Sequence, residues 1–103
     1  MAKSLDDVRS QLSNAEFDLT LHVVRRLVQR EISEPEIREA GETAIVIEEY
    51  PDDKYSPSCL MLGFTNAGRP LHIQVSLADT SIVRVITVYE PDLANWIDYT
   101  TRR

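Results

Sequence analysis

Two sets of side chains in this chain have types that do chemistry. The first lies in residues 20–30, TLHVVRRLVQR, where His22, Arg26 and Arg30 recur every four positions. On a helix that spacing stacks them along one stripe. Residues 20–30 hold three arginines and no acid, in a chain whose net charge is -6. A cationic stripe with an imidazole at one end suits a phosphate; it also suits a plain solvated helix face. The second set is His72 and Gln74 with Thr87 and Tyr89, on two stretches that read as neighbouring strands. His, Tyr and Arg on an open sheet face can cleave RNA without a metal. One group takes the 2′-OH proton, another protonates the 5′ leaving oxygen, and arginine stabilises the charged phosphorane. The same residues can also be a hydrogen-bonded sheet face and nothing more.

The elements that must position these residues follow from pattern. Residues 4–12 suit a short helix, with Ser4 as cap, Asp6 and Asp7 in the first turn, and Leu5, Val8 and Leu12 at helical spacing. Thr20 is the N-cap of the arginine helix. Its apolar half is Leu21, Val23, Val24, Leu27 and Val28, and its polar half is His22, Arg25, Arg26, Gln29 and Arg30. Ser33, Pro35 and Glu36 open another helix with a capping box, which stops near Gly41 and packs by Ile32, Ile37 and Ala40. The rest reads as strands. Residues 43–50 are rich in β-branched types, and residues 58–65 are apolar on both parities, as a central strand is. Residues 70–78 alternate cleanly and residues 81–89 follow a short turn at Asp79 and Thr80. Glu90, Pro91 and Asp92 then start a helical turn carrying Leu93 and Trp96.

Short turns between sequential strands make antiparallel neighbours. The expected fold is therefore α+β: N-terminal helices packed on a four-stranded antiparallel sheet. A two-residue loop at Asp79 and Thr80 puts His72 opposite Thr87. It also puts Ile82, Arg84, Ile86 and Val88 on the face that Leu71, Ile73, Val75 and Leu77 present to the helices. The 103 residues make one domain: 1–18 an arm or helix, 19–97 the core and 98–103 a tail.

Composition narrows the function. An apolar run of signal-peptide length is missing at the N-terminus, and no segment is long enough to span a bilayer. The one cysteine, Cys59, sits in the central strand as a core residue. Two histidines 50 positions apart and no zinc-type spacing point to no metal and no cofactor. The expected compartment is a reducing cytoplasm. The acidity is concentrated: residues 31–53 carry -8, whereas residues 20–30 carry +3. Glu48 and Glu49 are strand neighbours and point to opposite faces. P-loop, dinucleotide and nucleophile-elbow motifs are absent from the sequence.

Several distinctive runs follow one another along the chain. They are His22-x-x-x-Arg26-x-x-x-Arg30-x-Ile32-Ser33, Glu49-Tyr50-Pro51-Asp52-Asp53, Leu62-Gly63-Phe64 with Gly68-Arg69-Pro70-Leu71-His72, and Ile86-Thr87-Val88-Tyr89-Glu90-Pro91-Asp92 with Trp96. Together they resemble the prokaryotic domain-of-unknown-function family 4258, which is in turn distantly similar to RelE-type toxins of type II toxin–antitoxin modules. The resemblance implies a RelE-like fold and a metal-independent endoribonuclease. It implies an antitoxin-like partner, a small zinc-ribbon protein, and an RNA substrate. Its recurring polar residues fall on His22, Arg26, Arg30, His72, Thr87 and Tyr89. The implied catalytic set is His22, Arg26, His72 and Tyr89; Arg25, Arg30 and Thr87 bind RNA. Val23 stands where the family usually has a small residue, and Glu31 where it often has glycine. Glu31 is placed to pair with an arginine of the stripe.

One geometric condition separates the readings. If the apolar half of the arginine helix packs on the sheet, His22 and Arg26 point away from it and His72 lies on the opposite side. Convergence of His22, Arg26, His72 and Tyr89 on one cleft favours chemistry; dispersal favours a non-catalytic interaction module or a degenerate toxin relative.

Overall fold

The computed structural model describes residues 3–103; Met1 and Ala2, where the expected N-terminal segment begins, lie outside the described residues. Three helices precede most of the strands: α1 (Leu5–Ser13), α2 (Leu21–Gln29) and α3 (Glu34–Glu42), with β1 (Phe17–Leu19) between the first two. Then come β2 (Ile45–Tyr50), β3 (Ser58–Phe64), β4 (Pro70–Ser76) and β5 (Val83–Tyr89), followed by a small hairpin of β6 (Trp96–Ile97) and β7 (Thr101–Arg102).

Local chemistry sets the helix starts. The Ser4 hydroxyl accepts from the Asp7 N–H, and Thr20 accepts from Val23. Ser33 and Glu36 make a full capping box with Pro35 in the first turn. At the end of α2 the Ile32 N–H bonds the Leu27 carbonyl and the Glu31 N–H bonds that of Val28. That pattern turns the chain through a left-handed residue, and Glu31 has φ +57. A glycine adopts this conformation without strain, which fits the glycine that the resemblance implies at this position. The Glu31 side chain forms no ion pair among the described residues, so the expected Glu31–arginine pair is not made.

The sheet is five-stranded and mixed, in the order β1-β5-β4-β3-β2. This corrects the expected four-stranded antiparallel sheet. β1 adds to the edge of β5 in parallel, pairing Phe17 with Val83 and Leu19 with Val85. Three residues carry no readable alternation, so the strand was invisible in the sequence. One face of the sheet meets the helices: Val8, Leu12, Val23, Leu27, Ile37 and Ala40 pack against Cys59, Met61, Leu71, Ile73, Val75, Val83, Val85 and Val88. Cys59 is buried as expected, and burial pushes its thiol up to about 11. No helix is long and apolar enough to cross a membrane among the described residues.

The β4–β5 register departs from the expected hairpin. The connection spans residues 77–82 and is clamped: the Lys3 ammonium donates to the Thr80 carbonyl at 2.6 Å and Gln11 donates to the Ser81 carbonyl. His72 therefore pairs with Tyr89 instead of Thr87, and Gln74 pairs with Thr87. The next pair is Val75 with Val85, so Ile86 is an extra residue in β5. A bulge of one residue reverses which side chains face the core. Val83 and Val85 are buried, while Ile82, Arg84 and Ile86, expected on the helix side, are exposed.

Candidate functional site

His72 is carried by β4 on the face away from the helices. That face, expected to be open, is closed by the β6–β7 hairpin, and His72 is 0% exposed. The expected helical turn after Pro91 is a single turn at Asp92, whose carbonyl accepts from Asn95 and Trp96. Leu93 lies in that turn, while Trp96 already begins β6.

Both imidazole nitrogens are engaged. Nε2 lies 2.6 Å from the Tyr99 carbonyl oxygen, which only accepts, so Nε2 carries the proton. Nδ1 then holds a lone pair and accepts from the Tyr89 hydroxyl at 3.0 Å. The ring stands edge-on to Trp96, with centroids 4.5 Å apart, and to Tyr89 at 5.1 Å. Burial holds the His72 pKa below its ordinary value and pushes the Tyr89 phenol up. A neutral imidazole with both nitrogens occupied has no free position for a substrate proton in this state.

Beside it, β2 presents Glu48 and Tyr50 two residues apart on the same face. Arg102 grips Glu48 with two bonds of 2.8 and 3.0 Å, and the Tyr50 hydroxyl donates to the same carboxylate. The Arg102 hydrogen bonds keep the Glu48 carboxyl below its ordinary pKa. The Arg102 guanidinium also lies over the Trp96 ring at 4.6 Å. Glu48 and Tyr50 are not among the expected site residues, although strand alternation alone puts them on one face. Trp96, Tyr99 and Arg102 had no such signal, because two-residue strands leave no periodicity.

The remaining predicted residues fall in two places. Arg30 reaches over β5, where its guanidinium donates to the Val88 carbonyl at 2.7 Å and to the Thr87 hydroxyl at 3.4 Å. β1 pairs only with residues 83–85, so Arg30 caps backbone that β1 leaves unpaired. His22, Arg25 and Arg26 are exposed on the outer face of α2 and make no side-chain hydrogen bond or ion pair among the described residues. His72 and Tyr89 thus meet, and Arg30 and Thr87 meet, but His22 and Arg26 join neither pair. Among the described residues no three His, Cys, Asp or Glu side chains gather as a metal set.

Only Val23 and Leu27 of the expected apolar half of α2 are buried. Leu21 is 64% exposed, Val24 39% and Val28 73%. The helix lies over the β5–β1 edge of the sheet, where a nine-residue element reaches the core by one i, i+4 pair. At about 100° per residue, Leu21, Val24 and Val28 fall within a narrow arc on the solvent side, with Arg25 beside them.

The buried neutral histidine gives a stability prediction. Unfolded, its imidazole titrates near ~6.5, and folded it titrates lower. Between those two values the unfolded chain binds the extra proton, so acid favours unfolding. The contribution is complete above the unfolded pKa and drains as pH falls through it toward the folded value. From about pH 7.5 to about pH 5.5, wild-type Tm should therefore fall more than that of His72→Gln. Equal slopes for the two proteins in thermal denaturation would contradict the buried neutral state.

The family model described as Domain of unknown function (DUF4258) matches residues 19–90. No curated protein and no solved structure matches the chain.

Proposed function

This chain belongs to the DUF4258 family, and we propose that it is an interaction module whose α2 face docks an acidic, amphipathic segment of a partner protein. The observation that carries this reading is the outer face of α2. Leu21 and Val28 stand largely exposed with Arg25 beside them, and the unpaired His22 and Arg26 continue round the exposed surface of the helix, on a chain of net charge -6. Exposed apolar side chains aligned along one helix are a cost in water unless a partner covers them. Phosphates alone would ask only for the cations. An apolar stripe edged by cations fits a helix with apolar anchors and flanking carboxylates.

The test is binding of a designed Leu/Glu amphipathic helix, against a Leu/Gln control of the same apolar pattern. The acidic helix should bind more tightly, and less so as salt rises. Arg25→Glu with Arg26→Glu should weaken it about 100-fold, and Val28→Ser should weaken both helices. Equal affinity for the two helices, or no effect of the double charge reversal, would overturn the reading.

A second reading, a toxin-like metal-independent ribonuclease, is favoured by the contact of His72 with Tyr89 and the contact of Arg30 with Thr87 on the same strand, β5. It requires the C-terminal hairpin to move, because His72 has no free nitrogen beneath it. Cleavage of a long RNA by the purified chain in EDTA, lost in His72→Ala, would select this reading over docking.

A further inference from the structure

We propose that the C-terminal hairpin is a removable plug in a ligand site on the sheet face, and that this site takes a peptide segment pairing an arginine with an aromatic ring. The proposal is independent of the α2 reading, since it concerns the face opposite the helices.

The contacts between hairpin and body are those of a bound peptide. A carboxylate, Glu48, receives the guanidinium fork of Arg102, with the Tyr50 hydroxyl completing its partners. The Trp96 ring fills the space against His72 and is 4% exposed. The main chain contributes through the Tyr99 carbonyl, which accepts a hydrogen bond from the His72 Nε2–H. Each is a side chain or single carbonyl meeting a receptor residue. β6 and β7 pair only with each other, and their two-stranded sheet is separate from the five-stranded one. An isolated hairpin of that size has little stability of its own. Its turn adds strain, because Asp98 and Tyr99 both have positive φ, 51 and 64. The hairpin is held by what it docks into.

The receptor side and the plug also divide along the sequence. Glu48, Tyr50, His72 and Tyr89 all lie within residues 19–90, the span that matches the family model, whereas Trp96, Tyr99 and Arg102 lie beyond it. The cradle thus lies inside the matched span, and the residues that fill it follow that span in the same chain. The cradle does not end at Arg102. A cleft of about 560 Å³ continues from it, lined by Tyr50, Pro51, Asp52, Asp53 and Gln74. Its two aspartates extend the acidic character begun by Glu48, so a longer cationic segment finds further partners there.

The experiment uses the full chain with the grip reversed, Arg102→Glu, and follows histidine acylation by diethyl pyrocarbonate with peptide mass mapping. His22 is exposed and serves as the internal standard in every protein. Acylation of His72 relative to His22 should rise by roughly tenfold or more in Arg102→Glu while the domain keeps its cooperative melt. The double variant Glu48→Arg with Arg102→Glu should restore protection. A synthetic peptide of residues 95–103, NWIDYTTRR, added to Arg102→Glu should also restore it, and the same peptide with its Arg102 position changed to Glu should not. His72 as protected in Arg102→Glu as in wild type would overturn the proposal. So would loss of the cooperative melt, which would make the hairpin part of the core, and so would failure of the peptide to protect.

Discussion

Val75→Asp is expected to abolish the folded state. Val75 is 0% exposed on β4, between Cys59 of β3 and Val85 of β5, with its side chain in the layer that the helices cover. No cation or donor of that layer is placed to receive a carboxylate, because the buried cluster around it is apolar. An unpaired buried acid costs about 4 kcal/mol or more even when it takes up a proton, against a total stability of roughly 5–15 kcal/mol for a domain this size. The lost methyl contacts add to that cost. Circular dichroism should show no cooperative melt, and expression should shift to the insoluble fraction. The control is Ile86→Asp, two positions from Val88 in β5. In a straight two-residue hairpin Ile86 faces the helices and this change would also unfold the protein. In the bulged register Ile86 is on the other face and 37% exposed, so a soluble, folded Ile86→Asp protein is expected. A soluble Val75→Asp with unchanged Tm, or an unfolded Ile86→Asp, would reject this placement of the strands.

That contrast also locates what the sequence could and could not tell. The caps at Ser4, Thr20 and Ser33 were legible because each rests on one side chain and the orphan amides just after it. The strands β3 and β4 were legible because burial on both faces, or on one, writes itself into composition and alternation. The bulge at Ile86 was not, because one inserted residue reverses parity without altering the residue types around it. The same limit applied to α2. Its five apolar residues read as one packed half, yet which of them reach the core depends on where the helix lies over the sheet edge. His72 was readable as a polar residue in a buried strand, but its cover comes from residues 96–102, a segment too short in each strand to carry a pattern. The expected site thus split into a buried pair, His72 with Tyr89, and an exposed stripe, His22 with Arg25 and Arg26. The split followed from the rule that residues on a packed helix's outer side cannot meet residues on the far side of the sheet.

Gly63→Ala is expected to destabilise the domain by about 3 kcal/mol or more, near the upper end for overpacking, and to lower Tm by roughly 10–20 °C. In the sequence this glycine stands alone in an apolar strand within the Leu62-Gly63-Phe64 run, with no sign of what it meets; it sits in β3 opposite Leu71. Its φ is not in the left-handed region, so backbone freedom is not its role. Its role is close approach: a Cβ built there would lie 2.0 Å from the Ala40 carbonyl oxygen and 2.6 Å from its carbon. Both are main-chain atoms of α3, so no side-chain rotation can make room. The helix itself would have to lift from the sheet. Ile37 and Ala40 would then lose their contacts with the core, and Gly41 would leave the Leu12 side chain it touches on α1. Because α3 links α1 to the sheet, the loss should appear as one cooperative transition at lower temperature. Gly68→Ala is the comparison. Nothing lies within 4 Å of a Cβ at that position, but its φ is +87, so the substitution costs only the strain of the turn, about 1 kcal/mol. Thermal melts of the two variants should therefore separate clearly, with Gly63→Ala the lower. A Gly63→Ala protein that melts as high as Gly68→Ala would mean that α3 does not rest on β3 at this distance.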